Sequence, residues 1–234
     1  MYRMTKIERV KTGIKGLDEL ISGGIPAQST ILLSGVAGSG KTLFAFQFLY
    51  NGAVKYKEPG VYISLEEEPE RIIKSVSVTF GWNLNNLIKK KLISVIKAEL
   101  YNFDKLKMLI QDEVDRIKAK RLVIDQSTIL GLFFEKPLEV RKGIFELSRM
   151  LRKLGCTTIL ISELTEGTTG ISAFGVEEFI VDGIIILYYL KEGNVFTRAL
   201  SIRKMRNTDH DTGIHPIRIT KDGIIVYPTE QVFK

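Results

Sequence analysis

The chain has 234 residues, 44% apolar and 26% charged, a globular balance that suits a single α/β domain over residues 1–234. Its formal net charge of +7 permits a polyanionic partner without requiring one. The single cysteine, Cys156, rules out a disulfide framework, no apolar run is long enough for a bilayer, and residues 1–6 lack a signal-peptide core, so a cytoplasmic chain with no membrane partner is expected.

In chain order, residues 12–20 read as a turn leading into a short helix, and Gly23-Gly24-Ile25-Pro26 as a loop feeding the first strand, 29–34. A Gly-rich stretch separates that strand from an apolar helix beginning near Lys41. A turn at Glu58-Pro59-Gly60 precedes a strand at 61–65. Pro69 suits the first turn of a helix, predicted over 69–80. A strand at 92–98, an amphipathic helix at 103–119, a buried strand at 122–125, a helix at 138–154 and a strand at 157–162 follow. This alternation predicts a mainly parallel sheet flanked by helices. The pattern then changes. Runs at 184–190, 195–205, 217–219 and 224–226 read as strands, with hairpin turns at Glu192-Gly193-Asn194 and Lys221-Asp222-Gly223. The C-terminal third is therefore expected to extend the same sheet with antiparallel strands.

Gly35-Val36-Ala37-Gly38-Ser39-Gly40-Lys41-Thr42 fits G-x-x-x-x-G-K-[ST] in a strand–loop–helix frame. The glycines let consecutive backbone N–H groups turn inward onto phosphate oxygens, and the following helix adds the positive end of its dipole. Lys41 can reach the β- and γ-phosphates, and the Thr42 hydroxyl can ligate Mg²⁺. A plain Gly-rich turn accounts for the glycines but not for Lys-Thr at this spacing. A nucleoside triphosphate and Mg²⁺ are the implied ligands.

Asp125 closes a buried strand, a position suited to holding Mg²⁺ through water or merely to capping the strand end. Glu66 and Glu67 follow another strand, at the edge where open α/β sheets bind their ligands. One of them can orient a water for attack on the γ-phosphate, or both can be a solvated acidic turn before a helix. Spacing alone does not choose.

Four further stretches, Leu65-Glu66-Glu67-Glu68-Pro69, Phe80-Gly81-Trp82, Gly175-Val176-Glu177-Glu178-Phe179 and Lys204-Met205-Arg206-Asn207-Thr208-Asp209-His210, resemble those of KaiC-type ATPases in the RecA/RadA superfamily. The resemblance runs from about Thr12 to Pro228. It implies a RecA-like P-loop fold, ATP hydrolysis, and a homo-oligomer with ATP at its subunit interfaces. By that resemblance Glu66 and Glu67 match paired catalytic glutamates, and Glu66 also matches the single glutamate of RecA. Lys204 and Arg206 match residues that reach a neighbouring subunit's γ-phosphate, and Thr208 and His210 match further contacts from that side. Alternation on a strand puts Lys204 and Arg206 on one face; without the resemblance they read as a solvated basic face.

The chain departs from that pattern in places. It carries one ATPase module where the clock proteins carry two. Glu178-Phe179 stands where their autokinase module has a Ser-Thr pair, so no self-phosphorylation is expected there. Few residues precede Thr12, where full RadA recombinases carry a helical DNA-binding domain, so no autonomous strand exchange is expected. The resemblance to archaeal RadA paralogues implies an accessory protein that binds single-stranded DNA and modulates recombination or repair, with a recombinase or other protein as a further partner. The loops at 128–137 and 164–174 match the DNA-gripping loops of that family. The first offers Phe133 and Phe134 for base stacking, with Lys136 beside them, and the second has no basic residue. Core packing or an ordinary interface loop explains both equally well. A KaiC-like signalling or scaffold ATPase acting on a protein partner is the alternative.

Overall fold

The computed structural model describes residues 7–99, 102–134, 136–168 and 170–232. The signal-peptide reading of residues 1–6 lies outside them, as do Glu135 and Thr169 of the two candidate DNA loops. No helix among the described residues is long and apolar enough to cross a membrane.

The chain opens with a two-residue strand, β1 (Arg9–Val10), a short helix, α1 (Leu17–Leu20), and β2 (Ile25–Pro26), which pairs antiparallel with β1. β3 (Thr30–Gly35), α2 (Lys41–Asn51), β4 (Gly60–Ser64), α3 (Pro69–Phe80), α4 (Leu84–Lys89), β5 (Ile93–Lys97), α5 (Phe103–Ile117), β6 (Arg121–Asp125), α6 (Pro137–Lys153) and β7 (Thr157–Glu163) follow. After α7 (Glu177–Ile180) come β8 (Gly183–Glu192), β9 (Val195–Met205), β10 (Ile214–Thr220) and β11 (Gly223–Val226). The large sheet has nine strands in the order β11-β10-β9-β8-β3-β7-β6-β4-β5. β8 through β5 in that order are mutually parallel, and β9, β10 and β11 continue the sheet antiparallel.

β3 is buried along its whole length because β7 and β8 flank it and helices cover both faces. That explains its unbroken apolar run, the pattern of a central parallel strand. α2 fills one face with Phe44, Phe46, Phe48 and Leu49, joined there by α3 and α4. α5 and α6 cover the other face. Their buried residues, Leu106, Ile110 and Val114 on α5 and Val140, Ile144, Leu147 and Leu151 on α6, recur at helical spacing while the remaining faces stay polar. Cys156 sits in this second layer, its thiol pushed up to about 11 mainly by burial, so it is a packed and unreactive side chain.

The expected alternation and the antiparallel extension are both present. β8 runs two residues further than its apolar run, and β10 starts at Ile214 rather than at 217, because pairing with β9 at Ile214, His215 and Pro216 holds that segment extended. The β1–β2 ribbon carries no readable signal, since two residues give no periodicity.

Arg121 is wholly buried at the start of β6. Its guanidinium donates to Glu58 at 2.7 Å, to the Phe48 carbonyl at 2.7 Å and to the Lys11 carbonyl at 2.8 Å. It also lies 4.5 Å over the Phe48 ring. One cation thus ties the N-terminal segment, the helix after the Gly-rich loop and the turn before β4 to the sheet. Replacing Arg121 with Ala strands these acceptors and should destabilise the fold by about 3–5 kcal/mol in a denaturant titration. A loss below about 1 kcal/mol would show that the pairing merely decorates the core.

Candidate active site

Because β3, β4, β6 and β7 are parallel, all four end on one edge of the sheet. Register places Gly35 opposite Glu163 and Ser64 opposite Asp125. The segment after β3, the Glu66-Glu67 turn after β4, Asp125 and Glu163 therefore meet, enclosing a cleft of about 460 Å³.

The loop from Gly35 to Thr42 is knotted on one carbonyl. Val36 O accepts from Ser39 N at 3.3 Å, from Ser39 Oγ at 2.8 Å and from Lys41 Nζ at 2.8 Å. Gly38 and Gly40 hold φ of +75° and +102°, which side-chain-bearing residues rarely adopt. Gly40 is also the N-cap of α2 and offers no side-chain cap, so the helix dipole opens directly onto the cleft. Ala37 and Gly38 are exposed at the loop's crest.

Lys41 is buried, and burial lowers the pKa of its ammonium, with Glu163 and then Asp125 opposing the shift. Asp125 Oδ2 accepts from the Thr42 hydroxyl at 3.2 Å and also from the Tyr62 hydroxyl. Burial pushes the Asp125 carboxyl up, and the hydrogen bonds from Tyr62 and Thr42 and the charge of Lys41 pull it back. A hydroxyl and a carboxylate held together beside a phosphate-type loop fit Mg²⁺, which takes one or two protein oxygens and otherwise phosphates and water. Among the described residues no cluster of three or more His, Cys, Asp or Glu forms an all-protein metal cage.

The two glutamates have different surroundings. Glu66 Oε2 accepts from Gln126 Nε2 at 2.8 Å, and this exposed side chain lines the cleft. Glu67 faces Arg71 on α3 at 3.6 Å, is exposed as well, lines the same cleft, and its charge acts on Asp125. The two glutamates differ in their partners, and both line the cleft.

Lys204 and Arg206 share a side, as alternation predicts, although Arg206 lies one residue past the end of β9. A bulge opposite Ile184 and Ile185 skips Arg203 and aims this strand end. Lys204 Nζ donates to Glu178 O at 2.8 Å and Val181 O at 2.7 Å, and its pKa is lowered by burial first and by Arg206 second. Thr208 Oγ1 accepts from Arg9 Nη1 at 3.0 Å, and His210 Nδ1 lies 2.9 Å from Asp211 O. This group gathers on the far edge of the sheet. β9 is antiparallel to β8, and Met205 pairs with Gly183, which pairs in turn with Ile31 at the start of β3. The length of β3, roughly 17 Å at the rise of an extended strand, separates this group from the phosphate-type loop of its own chain.

Three further residues join the cleft that no motif marked. Gln126 orients Glu66, Glu163 faces Lys41 from the end of β7, and Arg198 Nε donates to Gly38 O at 3.0 Å from β9. Arg198 also lies 4.7 Å over the Tyr189 ring, which steadies it above the loop.

The family profile described as the KaiC ATPase matches residues 10–231. The chain is 40% identical over 232 residues to the circadian clock oscillator protein KaiC of Parathermosynechococcus lividus, covering 95% of this chain and 43% of that protein. It thus spans less than half the length of that relative. It is 38% identical over 241 residues to a UPF0273 protein of Thermotoga maritima, covering 96% of this chain and 98% of that one. The crystal structure of a KaiC-like protein from Pyrococcus horikoshii OT3 matches with a TM-score of 0.86 at 40% identity, over 95% of this chain and all of that one. With a parallel sheet that ends in a phosphate-type loop and two acidic strand ends, the chain belongs to the KaiC family of ATPases in the RecA superfamily.

Proposed function

We propose that the chain is one Mg²⁺-dependent ATPase module working as a homo-oligomer, in which each ATP is bound by one subunit and its hydrolysis is completed by the next. One observation carries this reading. The ATP-side residues Lys41, Thr42, Asp125 and Glu66 stand on one edge of the sheet, and Lys204, Arg206, Thr208 and His210 on the other. A head-to-tail contact between copies brings the second group to the first.

In this reading the backbone of residues 35–42 cradles the phosphates and Lys41 leaves the Val36 carbonyl for the β- and γ-oxygens. Thr42 and Asp125 would hold Mg²⁺, which would supply charge neutralisation at those oxygens. Glu66, oriented by Gln126, accepts a hydrogen bond from the attacking water, and Glu67 stands in reserve beside it. Lys204 and Arg206 of the neighbour meet charge that builds on the γ-phosphoryl group, the part of an arginine finger.

The partner reading favoured here is a protein rather than single-stranded DNA. Phe133 and Phe134, the candidate stacking residues, pack around Phe103 at 6.1 and 5.2 Å between ring centroids. Phe134 also lies on Gly143 of α6, where a Cβ would collide with the ring. These half-buried rings are already engaged within the fold. Lys136 is exposed. A role in recombination or repair, with a recombinase as partner, therefore rests on the resemblance alone. An anisotropy titration with labelled single-stranded DNA over a salt series should show only weak binding that disappears by physiological salt. Tight binding that survives there would restore the DNA reading.

Shared sites are tested by mixing. Glu66→Gln chains lack the water-orienting charge and Arg206→Ala chains lack the finger, so each alone should be nearly inactive, the latter by roughly 10³-fold or more. Co-assembled, some interfaces pair an intact Glu66 with an intact Arg206, and turnover should reappear. A mixture that co-assembles by light scattering yet stays inactive would place each site within one chain.

A further inference from the structure

The approach of Arg206 to a neighbour depends on what holds it in its own subunit, and the structure points to Asp182. This residue lies between α7 and β8 and is 8% exposed. Its backbone is pinned to the strand that carries the phosphate-type loop, with Asp182 N donating to Thr30 O at 2.8 Å. Its carboxylate is fixed by Thr30 N at 3.0 Å. Two guanidinium groups converge on the remaining lone pairs. Arg152 of α6 donates to both oxygens at 3.1 and 2.9 Å, and Arg206 Nη1 donates to Oδ1 at 3.3 Å. Arg206 N also donates to Asp182 O at 2.8 Å.

The rest of the Arg206 side chain is arranged consistently with this anchor. Nη2 donates to Phe179 O at 3.4 Å, and the side chain is 49% exposed. A guanidinium has five N–H donors in a rigid planar fork. Anchoring Nη1 on a buried carboxylate and Nη2 on the Phe179 carbonyl sets the plane of the fork while the side chain stays half exposed. A long side chain held in this way reaches its target with little left to order. Lys204 is held on the same platform through the carbonyls of Glu178 and Val181.

We infer that Asp182 is a positioning residue for hydrolysis in the neighbouring subunit: it anchors Arg206 to the buried start of β3 and sets the geometry in which the finger crosses the interface. The inference rests on the shared-site reading above. Asp182 lies beside the start of β3, at the opposite end of that strand from the phosphate-type loop.

The test uses Asp182→Asn in the full chain. Asparagine keeps the size and one acceptor oxygen but loses the charge that holds both guanidinium groups. Turnover at saturating ATP should fall roughly 10–100-fold, as when a group that orients an active-site residue is removed, while ATP binding by the isolated subunit is unchanged. Arg152→Gln removes the other partner of Asp182 and leaves the Arg206 anchor, so it should stay near full turnover. A loss as large as that of Asp182→Asn would mean that the effect runs through α6 packing, and would overturn the inference. The sharpest readout is complementation with Glu66→Gln chains, run beside the Arg206→Ala mixture. If Asp182 acts only through the finger, both mixtures regain turnover to the same extent. Rescue with Arg206→Ala but not with Asp182→Asn would show that Asp182 serves its own subunit's site and would overturn the inference alone. No rescue in either would overturn the shared-site reading and the inference with it. Full turnover by Asp182→Asn on its own also overturns it. Should that variant fail to fold, Asp182→Glu keeps the charge and shifts it by one methylene. Reduced turnover with intact ATP binding is then expected, and full turnover contradicts the role.

Discussion

Parallel pairing around β3 is the constraint on which the rest of this structure depends. Strands that run the same way must end on the same edge, so four loops distant in sequence are brought together without any direct contact being needed to recruit them. The loop after β3 supplies amides and Lys41, the turn after β4 supplies Glu66, and β6 and β7 end in Asp125 and Glu163. The same constraint excludes Lys204 and Arg206. β9 turns back antiparallel, so its end is delivered to the opposite edge. On the shared-site reading, an ATPase that needs both edges needs a second copy, and its dependence on assembly follows from sheet topology rather than from any special interface device.

Burial sets the electrostatics of the cleft. Lys41 and Asp125 are both pushed toward neutrality by desolvation, and each is pulled back chiefly by polar and charged neighbours. Such a site is poised for a ligand that carries negative phosphates together with a divalent cation, since these favour the charged forms of the lysine and the aspartate. The knot on the Val36 carbonyl holds Lys41 close to where it is used, at 2.8 Å. On the far edge, Asp182 plays the corresponding part for Arg206, with the start of β3 as the rigid support.

Much of this was legible from the residues. The phosphate-type loop is local chemistry, in which Gly38 and Gly40 must adopt positive φ and Lys41-Thr42 must open a helix, so a contiguous pattern specifies it. Alternating strand and helix signals were enough for the parallel core, and the Gly193 and Gly223 turns for its antiparallel extension. What stayed hidden depends on strand order and register, which periodicity does not encode. Arg198 reaches Gly38 from 160 positions away because β8 lies beside β3 and β9 beside β8. Gln126 beside Asp125 reads as an ordinary polar residue until β4 is paired with β6. Phe133 and Phe134 looked available for stacking because sequence does not show that Phe103 and Gly143 receive them. The different partners of Glu66 and Glu67, Gln126 for one and Arg71 for the other, are again a matter of tertiary contact.

The division of one active site between two copies is tested most directly by measuring ATP turnover per subunit over a dilution series at saturating Mg²⁺ and ATP, with mass followed by light scattering. Turnover per subunit should collapse in step with dissociation, while ATP binding by the dissociated subunit persists. Monomers that keep the turnover of the assembly would contradict a site built from both edges of the sheet.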